Sequence, residues 1–120
     1  MIQMSATFYP AKRTPTSRYP WDFVEIPYEV NFSNSNTRII LEKLGLDPNF
    51  EESDPQPIGD FIVACQRFIG GTPYPDDKNL SASSYEIQLT VTGVMLRKVA
   101  MLLAAATMGR ELGATHWYFA

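Results

Sequence analysis

Cysteine and histidine are almost missing from this chain, with Cys65 and His116 the single examples in 120 residues. One cysteine cannot close an internal disulfide, and one residue of each kind cannot supply the ligands of the usual structural zinc sites. A reducing, cytoplasmic setting is the expectation. Long apolar runs are missing too. Val99 to Met108 is well short of the roughly 20 residues that a membrane span requires. The start, MIQMSATFYPAKR, lacks the basic-then-apolar order of a secretory leader. A soluble protein with no membrane partner is expected.

Positive charge is also scarce. Lys and Arg total 10 against 13 Asp and Glu, a formal charge of -3. General nucleic-acid binding requires a basic surface to neutralise phosphates, so no nucleic-acid partner is expected. The charges are unevenly placed. Residues 1 to 21 carry Lys12, Arg13 and Arg18 with no acid, whereas Glu42 to Asp60 carries Glu42, Asp47, Glu51, Glu52, Asp54 and Asp60 against Lys43 alone. Three cations are too few for a nucleic-acid arm, and the acidic run reads as a solvated connector. Gly-x-Ser-x-Gly, Walker-type, dinucleotide, Cys-x-x-Cys and His-Glu-x-x-His patterns do not occur. The commonest enzyme signatures are therefore missing, and no catalytic residue, cofactor or metal is assigned. Glu51, Glu52 and Asp54, or Asp76 and Asp77, lack the spacing of a calcium loop.

What the chain does have is the 45% apolar and 12% aromatic content of an ordinary globular protein. Its length suits one domain with one core, residues 1–120. Met4 to Tyr9 suggests a short strand. Pro10, Pro15 and Pro20 then mark an extended loop over 10–22, so that residues 1–22 form a proline-rich arm on a core of 23–120. Val24, Ile26, Tyr28, Val30 and Phe32 alternate with polar residues and Pro27, the period of an edge strand. Ser33 to Thr37 offers helix caps, and Gly45 a stop. Ile58, Phe61, Ile62, Cys65, Phe68 and Ile69 follow helical spacing over 59–69. Residues 85–112 suit one long helix, with a strand over 86–92 and a helix after Gly93 as the rival reading. Thr115 to Phe119 is β-branched and aromatic, and reads as a terminal strand with His116 and Tyr118 on one face and Thr115, Trp117 and Phe119 on the other. The expected fold is α+β in two layers, with three helices packed on one face of a small sheet.

Three places attract a functional reading. The first is the strand-to-helix junction Asn31, Ser33, Asn34 and Asn36, where free amides and the helix dipole favour an anion and where capping alone would also explain the residues. The second is Tyr19, Trp21 and Phe23, an aromatic group able to form a platform for a subunit or to pin the proline-rich arm. The third is His116 with Tyr118, although no local partner orients the imidazole for proton transfer. Cys65 lies on an apolar stripe and reads as core.

The segments Val30-Asn-Phe-Ser-Asn-Ser-Asn, Ile40-Leu-Glu-Lys-Leu-Gly-Leu46 and Glu111-Leu-Gly-Ala-Thr-His-Trp resemble small bacterial domains of unassigned function. That resemblance covers about a third of the chain and implies a shared scaffold without an activity. The expected role is a non-enzymatic binding or assembly module, forming a homo-oligomer or meeting a protein partner through Tyr19, Trp21 and Phe23 or through an apolar face of the long helix. The alternative is a small-ligand protein or enzyme with its pocket at Asn31 to Asn36, where Arg18 or Arg38 meets an acidic group and His116 or Tyr118 moves a proton.

Overall fold

A computed structural model describes residues 4–14, 20–71 and 93–120. In chain order the elements are β1 (Ser5–Arg13), β2 (Trp21–Phe23), β3 (Asn31–Ser33), α1 (Asn34–Lys43), a 3-10 turn (Phe50–Glu52), β4 (Gln56–Pro57), α2 (Ile58–Gly71), α3 (Val94–Glu111) and β5 (His116–Phe119). The five strands make one antiparallel sheet. The α+β, two-layer expectation holds.

β1 organises the sheet. Its middle pairs with β5, Phe8 opposite Phe119 through Ala11 opposite His116. Its start pairs with β3 and its end with β2. The strand therefore runs through Pro10 to Arg13, which corrects the loop expected over 10–22. The hydrogen-bond pattern explains the tolerance. Odd-numbered residues bond toward β5, as in the reciprocal Thr7–Ala120 pair, and even-numbered residues bond the other way, as in Phe8 N–H to the Val30 carbonyl. Pro10 thus points its donor-free nitrogen at the side where β2 and β3 part, while its carbonyl still accepts from Val24 N–H at 2.9 Å.

The strand expected over 24–32 is also corrected. Only Asn31–Ser33 is paired as a strand, although Val24 and Val30 each hold one bond to β1. Pro27 has no N–H to contribute, and the intervening residues bow away from the ladder. The other elements match their signals. Ser33 Oγ accepts from Asn36 N–H to cap α1, and Gly45, at φ 75°, takes the left-handed conformation that ends it. Helix α3 starts at Val94, directly after Gly93. The choice between helix and strand over 86–92 lies outside the described residues.

Alternation along β1 divides the sheet into two faces. Ala6, Phe8 and Pro10 are buried toward the helices, where Phe8 stacks on Phe61 of α2 at 5.2 Å between centroids. Trp117 and Phe119 of β5 join them, together with Ile40 and Leu41 of α1 and Val99, Leu102, Ala105 and Ala106 of α3. The three described helices contribute to one core on one side of the sheet. Among the described residues, no helix is long and apolar enough to cross a membrane.

Candidate functional site

The second face of the sheet carries the odd-numbered residues of β1 and their register partners. No described helix covers it. A half-wet antiparallel sheet ordinarily alternates apolar residues inside with polar ones outside, but here the outward row is aromatic. Tyr9 stacks on Tyr118 at 5.3 Å and meets Phe23 edge-on at 5.1 Å. Trp21 meets the His116 ring at 4.5 Å, and the Arg13 guanidinium lies 5.8 Å from the Trp21 centroid. Phe23 is 51% exposed and the other rings partly so. Ala11, registered between Phe23 and His116, is nevertheless fully buried. The rings form two groups in contact, Tyr9 with Phe23 and Tyr118, and Trp21 with His116, rather than isolated outliers. At the opposite end, Asn31 donates to Thr7 Oγ1 at 2.8 Å and to Ser5 Oγ at 3.3 Å, leaving that end polar.

Burial first, and the nearby Arg13 second, lower the His116 pKa below its ordinary 6.5, which favours the neutral ring. Thr115 Oγ1 lies 2.8 Å from His116 Nδ1 and also accepts the Arg13 backbone N–H at 3.4 Å. A hydroxyl in that position orients a neutral imidazole but cannot stabilise a charged one as a carboxylate would. Burial raises the Tyr118 pKa, with a smaller contribution from Tyr9, so its phenol stays protonated.

The residues expected to share one pocket are separated. Ser33 registers with Ser5, and His116 with Ala11, six positions along β1 and therefore roughly 20 Å apart. His116 and Tyr118 belong to the aromatic face, as do Trp21 and Phe23. Asn31 lies on the polar end of that same face. Ser33, Asn34 and Arg38 border a separate hollow of about 720 Å³, next to Phe50, Glu51 and Phe119. There the Ser33 hydroxyl is committed to the α1 cap, and Arg38 pairs with Glu51 at 2.7 Å. Both partners of that pair are about half exposed, so it contributes at most about 1 kcal/mol. Asn36 Nα is the capped amide. Arg18 and Tyr19 lie outside the described residues, as do Asp76 and Asp77.

Tyr9 and Arg13 were not singled out by sequence reasoning. The register that places Tyr9 between Phe23 and Tyr118 is a long-range property, and only the continuation of β1 through Pro10 brings Arg13 beside Trp21. Cys65 is fully buried on α2, and burial pushes its thiol up to about 12. It should behave as core. In the folded protein at pH 8, reaction with an aromatic disulfide is expected to be slower than in guanidinium by about three orders of magnitude. Rapid labelling of the folded chain would show that α2 opens readily.

Comparisons with family models, curated proteins and solved structures find no match for this chain. The chemistry of its side chains is therefore the basis for a functional reading.

Proposed function

We propose that this protein is a non-enzymatic assembly module that forms a homo-oligomer by packing together the faces of two sheets that no described helix covers. The observation that carries this reading is the row Tyr9, Phe23, Tyr118, Trp21 and His116, turned outward where a wet sheet would carry polar residues. Tyr, Trp and Arg are the residue types that dominate interface energetics, because they combine large rigid area with polar tips. Two-fold packing suits a self-complementary strip when the axis crosses the strands, because each end of one copy then meets the other end of its partner. Arg13 of one copy would then face the polar Asn31 end of the other rather than a second Arg13. The apolar face of α3 is the weaker candidate. Its inner side is used by the core, and its outer side presents small residues such as Ala100 and Ala104 beside Met101.

Light scattering on the size-exclusion peak across a concentration series tests the reading. The expected mass is that of two or more 13.5 kDa chains. Phe23→Lys, at the most exposed ring, should weaken association at least ~30-fold, as loss of an interface hot spot does, while the circular dichroism spectrum is unchanged. A 13.5 kDa monomer at high concentration would refute it.

A further inference from the structure

The aromatic face holds the only histidine of the chain, and the described groups around it are neutral or cationic. Across the sheet His116 registers with Ala11 of β1 and Pro57 of β4, neither of which carries a charge. Trp21 of β2 meets the imidazole at 4.5 Å between centroids, and its own centroid lies 5.8 Å from the Arg13 guanidinium. One indole thus lies against both groups. Along β5 the neighbour on the same face is the Tyr118 phenol, stacked on Tyr9, and Thr115 Oγ1 reaches Nδ1 at 2.8 Å without carrying charge. The acids of the β2 region are placed elsewhere. Asp22 registers with Lys12 on the opposite face of the sheet, and Glu25 lies past Phe23, bordering a hollow with Tyr9 and Phe23. The only ion pair among the described residues is Arg38–Glu51, so no described carboxylate neutralises Arg13.

We propose that assembly through this face is controlled by protons: protonation of His116 places a second cation beside Arg13 in the contact and drives the copies apart. Such control rests on the oligomer proposed above. Burial and Arg13 already lower the imidazole pKa in the single chain, and covering the ring with a second sheet removes more water from it. The assembled form therefore binds fewer protons than the free chains. Its stability is complete above the ordinary 6.5 of histidine, and is lost progressively as the pH falls below the lowered value of the free chain. A two-fold dimer contains the group twice, so both copies add to the effect. Net charge works in the other direction. Acidification takes the chain from a charge of -3 toward its pI near 5.0, which reduces self-repulsion and strengthens unspecific association. Weaker association in acid is thus the signature of this histidine.

The test is light scattering over a concentration series at pH 7.5 and pH 5.5 and constant ionic strength, on wild type and His116→Gln, with circular dichroism to show that both stay folded. For wild type the dissociation constant should be at least about tenfold larger at pH 5.5 than at pH 7.5. For His116→Gln only the ratio between the two pH values is read, and it should be close to one. The single imidazole signal gives a second readout by NMR: its pKa should be lower in concentrated, assembled protein than in dilute protein. An oligomer equally tight or tighter at pH 5.5 would overturn the proton control and leave the oligomer standing, as would the same acid weakening in His116→Gln. A wild-type monomer at pH 7.5 would overturn both. If His116→Gln does not fold or associate, the imidazole titration decides, and equal values in dilute and concentrated protein would overturn the control.

Discussion

Phe8→Ala is expected to destabilise the fold by about 3–5 kcal/mol, a large share of the roughly 5–15 kcal/mol that holds a typical domain folded. The ring is 2% exposed and lies within 5.2 to 6.1 Å, centroid to centroid, of Phe61, Trp117 and Phe119. Removing it takes away a buried transfer contribution and opens a cavity that three other aromatic rings cannot close without leaving their rotamers. It also disconnects α2 from the strand on which every other strand except β4 depends. Urea denaturation followed by tryptophan fluorescence measures the effect, with chain concentration held constant because association adds to apparent stability. A loss below about 1 kcal/mol would show that the Phe8 side of β1 is not the centre of the core.

Gly109→Ala should also destabilise, against the direction that helix propensity predicts. In an exposed helix this change gains up to about 1 kcal/mol, because alanine loses less backbone entropy than glycine. At position 109 a Cβ would lie 2.5 Å from Pro10 Cβ and 2.7 Å from its Cγ. Normal carbon contacts are about 3.5–4.0 Å, and the pyrrolidine ring cannot swing aside, so α3 and β1 must separate by about 1 Å. Overpacking of this kind costs about 1–3 kcal/mol, leaving a net loss of up to about 2 kcal/mol after the propensity gain. Gly59→Ala on α2, where an added Cβ meets nothing within 4 Å, is the control and should be neutral or slightly stabilising. Equal stabilisation by both changes would mean that α3 does not approach β1 at Pro10.

The pairing of Gly109 with Pro10 also shows where sequence reading stopped. Pro10 marked a break because an isolated proline ordinarily ends a strand. The sheet tolerates it because β2 and β3 leave a gap opposite it, and the helix above accepts its ring because position 109 has no side chain. Both facts depend on residues about 100 positions apart or on strands that join from elsewhere. The 24–32 segment failed for the converse reason. Its alternation was genuine, and Val30 and Phe32 are buried, but burial period alone does not supply hydrogen-bond partners.

The candidate sites divide along the same line. Placing His116 and Tyr118 on one face of a terminal strand needed only the two-residue period, and the structure keeps that assignment. Trp21 and Phe23 were visible as an aromatic group, but their neighbours Tyr9 and Arg13 were not. The acidic run from Glu42 to Asp60 was visible as charge. That Asp47, Asp54 and Asp60 border the same hollow was not, because they come from the connector and from α2.

Local chemistry determined α1 with its Ser33 cap and Gly45 stop, the amphipathic α2, the terminal strand, and the α+β class. Each depends on residues within one or two helical turns, where period, capping and glycine geometry act directly. Tertiary structure alone decided the length of β1, the register that aligns Tyr9 with Phe23 and Tyr118, the close approach of α3 to Pro10, and the separation of the Asn/Ser junction from His116. Those outcomes depend on which strand partners are present and on which face the helices cover, and both are set by contacts between residues far apart in the chain.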